Sequence, residues 1–364
     1  MVYFTVGPTQ LFSEVKNFIK EALTEDILSI SHRGEKFKKI YDFAERSLRK
    51  LLDVPDTHEI FFFSSATEIM ERILQNCVEK HSFHVVNGAF SERFYQIARE
   101  LGKEPHILRK EWGSGIYPDE VKVEKQDEII CMVQNETSTG VSIPMEVIYG
   151  IKESYPDKIL AIDIVSSAPY VDINFRMVDI AFFSVQKGFG LPAGLGVCIL
   201  HKQCIQKAKS LANRGISIGS YHGFLNIHKK SIDKQTVETP NVLGIYLLGK
   251  ICEFFISTKG TDSLKNIVRK HAGMIYESIE DSKVFGAFVK ENYFRSETTI
   301  VLESKYGSKS VLDFLRGKGI EVSSGYGKFK DRHLRIGNFA MHTTKEVEEL
   351  LTSLNIFEEK SLKS

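Results

Sequence analysis

Short apolar runs separated by longer amphipathic stretches fill the chain up to about residue 200. The runs Glu59–Phe63, Phe83–Val86, Glu128–Val133, Ile159–Asp163 and Ile180–Val185 have the length and abrupt ends of buried strands. Between them apolar residues recur at helical spacing. Val15, Phe18, Ile19 and Ala22 mark a helix in Ser13–Thr24, and further helices are predicted over Phe37–Leu52 and Glu68–Val78. This alternation predicts an α/β fold with a doubly wound, mainly parallel sheet. The run Val197–Leu200 follows its predecessor through a loop without a helix, so it is expected to run antiparallel.

Later the pattern changes. Ile216–Lys234 is polar and weakly periodic, which reads as a long loop over the site. Asn241–Ser257 is strongly helical. Beyond about residue 255 the spacing predicts strands at Thr299–Leu302, Ile320–Ser323 and His333–Ile336, with helices at Ser308–Arg316 and Thr344–Leu354. This is the pattern of a smaller α+β domain. Glu358–Ser364 reads as a charged, mobile tail.

Composition narrows the class. The chain has 364 residues, 42% apolar and 26% charged, with a net charge of +1. That balance gives no global field favouring nucleic acid or a membrane surface. No apolar stretch is long enough for a membrane span, and Met1–Pro8 lacks the basic start of a secretory signal. The five cysteines are scattered without a paired spacing, as expected of reduced core residues in a cytoplasmic protein. His81 and His84 stand three apart, but nothing else supplies metal ligands, so no metal site is expected.

The candidate chemistry centres on Lys187. It ends the run Ile180–Val185 and enters a loop with Gly188, Gly190, Pro192, Gly194 and Gly196. Burial lowers an ammonium pKa, and a neutral amine is a nucleophile toward an aldehyde. A surface lysine on a glycine loop is the plainer alternative. Asp163 ends the preceding strand, where open α/β sheets bind ligands. Pyridoxal phosphate needs both groups, a lysine for attachment and an acid beside the pyridine nitrogen. Ser64-Ser65-Ala66-Thr67 sits between a strand and a helix, a position suited to an anion, although an ordinary capped helix fits it too. His32 and Arg33 offer donors for a phosphate or carboxylate. Taken alone they also read as a cap and a solvated residue. Phe90, Thr137 and Arg335 read singly as core, turn and surface residues.

Together these segments resemble the class V aminotransferases, which are fold-type I pyridoxal phosphate enzymes, and within them the phosphoserine aminotransferase group. The likeness runs from Val6-Gly7-Pro8 to Leu334-Arg335-Ile336-Gly337, and Ser31-His32-Arg33-Gly34 is its most diagnostic part. It implies a large cofactor-binding domain over residues 14–254, built on a mainly parallel seven-stranded sheet. Residues 1–13 and 255–364 would form the small domain. It implies Lys187 as the Schiff-base lysine and Asp163 as the acid on the ring nitrogen. Ala66, Thr67 and Gln186 would touch the cofactor, Phe90 would stack on it, and Thr137 would touch its ring oxygen. Thr239 would reach the cofactor phosphate across a homodimer interface, so the active sites would be shared. His32 and Arg33 would hold the substrate phosphate, and Arg335 its α-carboxylate.

The sequence departs from the family pattern in four places. Ser65, Ala66, Thr67 and Glu68 replace a glycine-rich phosphate loop, so Glu68 is expected to turn away from the phosphate. Phe90 stands where tryptophan is frequent. Glu238 replaces an asparagine and should also point elsewhere. Gly325–Lys330 replaces a second His-Arg pair and leaves Lys328, Lys330 and Arg332 as the nearby cations. The function implied is ping-pong transfer of an amino group between phosphoserine and 2-oxoglutarate, in serine biosynthesis. An alanine– or serine–glyoxylate aminotransferase is the alternative, since Gly325–Lys328 and the Arg-Ile-Gly ending resemble those too. A desulfurase is disfavoured by Gln186 and by the lack of a cysteine after Cys252. A non-catalytic binder would be expected to lack Lys187 or Asp163.

Overall fold

The computed structural model describes residues 1–363, the side chain of Lys259 excepted. A seven-stranded sheet runs in the order His58–Phe63, Gly196–His201, Ile180–Ser184, Ile159–Asp163, Ile129–Val133, His81–Val86, Glu104–Arg109. Gly196–His201 is antiparallel to both neighbours, and the other pairings are parallel. The expected exception falls where the helix-free connection put it.

The apolar runs are continuous because helices cover both faces of this sheet. Successive residues point to opposite sides. Ile130, Met132, Leu160, Ile162, Ala181 and Phe183 enter one core, and Ile129, Cys131, Ala161, Ile180 and Phe182 the other. All five cysteines are buried and free.

A second sheet of five strands has the order Val2–Phe4, Ile320–Ser324, His333–Gly337, Thr299–Ser304, Phe285–Ala287. Its core joins Phe4 to Val311, Leu315, Leu350 and Leu354 on the helices Ser308–Gly317 and Thr344–Ser361. His333–Gly337 is central in this sheet, paired with a strand on each side.

Two expectations need correction. The stretch Ile216–Lys234 is not all loop, because Phe224–Ser231 forms a helix. Phe224 and Ile227 turn inward on it, one helical step apart, and the flanking polar residues had hidden that short period. The C-terminal residues are not a free tail up to Ser361, where the last helix ends. Thr343 and Glu346 form its capping box. Glu358 anchors its far end by accepting from Ser282 Oγ at 2.5 Å and Lys283 N at 2.7 Å. Ser364 lies outside the described residues.

Candidate active site

The carboxyl ends of the central strands face the second sheet across a cavity of about 280 Å³. Asp163, Ser184, Gln186 and Lys187 line it from one side, and Ser323, Tyr326 and Arg335 from the other. Hollows of about 1110 and 1100 Å³ lie elsewhere, but neither brings a buried lysine to a buried acid.

Lys187 differs from the other buried lysines. Lys152 pairs with Asp179 at 2.8 Å and Lys158 with Asp157 at 3.1 Å. Lys187 has no ion pair among the described residues, and its Nζ donates to Thr137 Oγ1 at 2.6 Å. Burial pushes its ammonium well below the usual lysine range, against the pull of Asp163 and Glu136. Its backbone is held by a tight turn in which Gly190 N donates to Lys187 O at 2.8 Å. Gly7 lies against its stem. A Cβ there would come within 2.8 Å of Lys187 Cγ, on a backbone with φ of +126°. Glycine at position 7 thus permits close packing on the lysine.

Asp163 is equally buried, at 3% exposure. Val165 N donates to its Oδ1 at 2.8 Å, and Oδ2 has no partner among the described residues. Burial raises its pKa, opposed by that hydrogen bond and by the charge of Lys187.

At the cavity's other end Ser65 caps the helix Ala66–Cys77, its Oγ accepting from Glu68 N at 3.2 Å. Ala66 N donates to Ser184 Oγ at 2.8 Å, which ties the turn to the sheet. The N–H and hydroxyl of Thr67 make no hydrogen bond among the described residues and line the cavity. Glu68 turns away from the cavity, as expected, and so does Glu238. Both meet His222.

Arg335 is oriented by Nε, which donates to Ser324 O at 2.8 Å. Its guanidinium carbon stands 5.3 Å from the Tyr326 ring centroid. Nη1 makes one long bond, 3.4 Å to Thr137 O, so the outer edge is left for an anion. Phe90 completes the wall, with Lys187 Nζ 5.3 Å from its ring centroid and Tyr326 at 5.7 Å.

Ala66, Thr67, Phe90, Thr137, Asp163, Gln186, Lys187 and Arg335 therefore meet in one cavity. His32, Arg33 and Thr239 do not line it within one chain. Arg33 binds the segment 235–237, with Nη1 donating to Thr236 O at 2.6 Å and Nη2 to Val237 O at 3.1 Å. Lys328, Lys330 and Arg332 are exposed outside the cavity, and Lys328 lies over Trp112. Sequence reasoning missed Ser184, Asn135 and Tyr326. Ser184 carried a faint signal as the polar end of an apolar strand. Tyr326, in a loop between glycines, carried none.

The sequence matches the family described as "Aminotransferase class-V" over residues 2–349. The chain belongs to the class-V aminotransferases. A solved phosphoserine aminotransferase from Cytophaga hutchinsonii is 42% identical, with 98% of each chain covered and a TM-score of 0.95. A phosphoserine aminotransferase of Rhodococcus opacus is 24% identical over 97% of this chain and 94% of its own length. A ureidoglycine–glyoxylate aminotransferase from Bacillus subtilis, 20% identical, shares the fold at a TM-score of 0.82, with 98% of this chain and 92% of that one covered.

As a class-V aminotransferase the chain is a pyridoxal phosphate-dependent transaminase with the fold-type I architecture. The cavity fits that cofactor. A buried carboxylate with raised proton affinity and one free oxygen suits a pyridinium N–H. The unpartnered N–H of Thr67 at a helix start suits a phosphate. Asn135 adds a buried Oδ1 with no partner among the described residues. No helix among those residues is long and apolar enough to cross a membrane.

Proposed function

We propose that this enzyme is a phosphoserine:2-oxoglutarate aminotransferase of serine biosynthesis, working as a cytoplasmic homodimer. The observation that carries this reading is the 42% identity, over 98% of both chains, to the Cytophaga hutchinsonii phosphoserine aminotransferase. Five free, buried cysteines suit a reducing compartment. The remoteness of His32, Arg33 and Thr239 from their own chain's cavity supports sites completed by a second copy.

The residues present give the mechanism its parts. Pyridoxal phosphate supplies, when bound, an aldehyde for the amine and a ring that accepts electrons from the substrate's Cα. Asp163 would pair with the ring nitrogen and favour its protonated form. Phe90 would pack against the bound cofactor, and Thr67, Ala66, Ser184 and Gln186 would hold it from the helix start and the lysine loop. Arg335 grips the α-carboxylate of donor and acceptor in turn, because a planar guanidinium matches it with two parallel hydrogen bonds. Lys187 Nζ, its positive charge disfavoured by burial, takes the Cα proton and returns one as general base and acid. Thr137 keeps the amine near its working position. Donor and acceptor use the same cavity in succession, so the kinetics are ping-pong. His32 and Arg33 of a second copy receive the substrate's phosphate.

The glyoxylate-type alternative keeps some support, because Lys328, Lys330 and Arg332 do not enter the cavity. The test is to add single amino donors to the purified holoenzyme and follow the visible absorption band. Phosphoserine should bleach it while alanine and serine leave it unchanged. Bleaching by alanine or serine alone would replace this substrate assignment with the glyoxylate-type one.

A further inference from the structure

The helix start that lines the cavity carries an acidic side chain in its first turn. Glu68 folds back over the cap, its Oε2 accepting from Ser64 N at 2.9 Å and Ser64 Oγ at 2.6 Å. A carboxylate one turn from a dianion is repulsive unless a cation stands beside it. That cation is His222. Its Nδ1 lies 2.5 Å from Glu68 Oε1, and its Nε2 lies 2.5 Å from Glu238 Oε2. His222 is 2% exposed, and its ring stacks on Tyr221 with centroids 4.0 Å apart and meets the edge of Phe63. Its backbone lies in the left-handed region, φ +45°, rarely adopted by a side-chain-bearing residue. Such a conformation persists where surrounding contacts over-determine it, as two carboxylates do here.

We propose that His222 is a positioning residue of the cofactor site, bridging Glu68 and Glu238 so that the helix start at Ser65–Thr67 is held, and the charge of Glu68 in its first turn offset, for a phosphate dianion. This rests on the reading of that helix start as the cofactor's phosphate site. Burial opposes charge on His222, but the hydrogen bonds and charges of Glu238 and Glu68 outweigh it and raise the imidazole to about 9. For Glu68 burial also opposes charge, and the bonds from His222 and Ser64 bring it down to about 2. Near neutrality the bridge is therefore an imidazolium between two carboxylates. The other groups nearby are Tyr221, Arg72 with Nη1 on Tyr221 O, His32 beside Glu238, and Arg33 on the segment before Glu238.

The test compares binding of pyridoxal phosphate and of pyridoxal to the apoenzyme. The ratio of affinities isolates the phosphate, because both ligands use the same lysine. His222→Asn suits the left-handed backbone and removes the cation. It should cut the preference for the phosphorylated ligand by about tenfold while leaving pyridoxal binding unchanged. Adding Glu68→Gln to it should restore most of the preference. In the wild type the preference should hold to about pH 8 and fall as pH rises through about 9, and in His222→Asn it should be flat there. Tyr221→Phe should keep the wild-type profile. If the wild type binds both ligands equally, the phosphate-site reading itself fails. If it prefers the phosphate and His222→Asn keeps that preference in full, the helix start stands and the role of His222 is overturned.

Discussion

Lys152 and Lys158 commit their charge to Asp179 and Asp157, and Lys187 keeps its amine for the cavity. Two residue-scale predictions follow from that cavity. Lys187→Ala should lower transamination by more than about 10²-fold, the scale of one lost general acid–base group. Borohydride treatment should attach the cofactor to the peptide carrying Lys187 in the wild type, and mass spectrometry should find no such adduct in the variant. An adduct in both would move the attachment point elsewhere. Arg335→Lys keeps the charge and loses the fork. Its kcat/KM for the amino donor should fall about 10- to 100-fold, in line with one or two charge-assisted hydrogen bonds lost. An unchanged kcat/KM would mean that the carboxylate binds at another cation.

The element that matters most is the helix Ala66–Cys77, because its first turn is both cap and cavity wall. Ser65→Ala removes the cap and should destabilise the apoprotein by about 1 kcal/mol in urea unfolding. It should also weaken the cofactor, since the turn it fixes lines the site. Thr343→Ala removes the cap of the last helix, which is not part of the cavity wall, and should cost a similar ~1 kcal/mol without altering cofactor affinity. Equal effects of both variants on cofactor binding would show that general stability governs it. Six strands of the large sheet were legible because double burial leaves unbroken apolar runs. The helix Phe224–Ser231 was not, because two inward residues are too few to declare a period. Glu104–Arg109 was missed for a related reason. It is an edge strand whose residues are only partly buried, so no apolar run marks it.

At the scale of the whole molecule, we propose that residues 14–254 form the large unit and residues 1–13 with 255–364 the small one, with the cavity between them. The parallel pairing of Val2–Phe4 with Ile320–Ser324 supports the return of the N-terminus to the small unit. The homodimer makes its own prediction. His32→Ala and Lys187→Ala subunits should each be weakly active alone. Mixed after partial unfolding and refolding, they should regain activity, because one site of each mixed dimer would pair an intact Lys187 with an intact His32. No gain on mixing, with mixed dimers demonstrated, would mean that each chain serves its own site.

The sequence by itself determined most of the strand and helix alternation, the antiparallel exception, and the lysine and aspartate that end two central strands. Lysine and aspartate at strand ends, after apolar runs, already limit what a site can be. Tertiary structure decided which residues share the cavity and in what state. The low proton affinity of Lys187 and the high one of Asp163 arise from burial that no local pattern encodes. Tyr326 and Ser184 reach the site through the packing of one sheet against another. Glu68 lies 154 residues from His222 along the chain and Glu238 lies 16 from it, and only the fold brings their charges within hydrogen-bonding distance. Electrostatics acts through space, and spacing along the chain reports it only where the backbone repeats regularly.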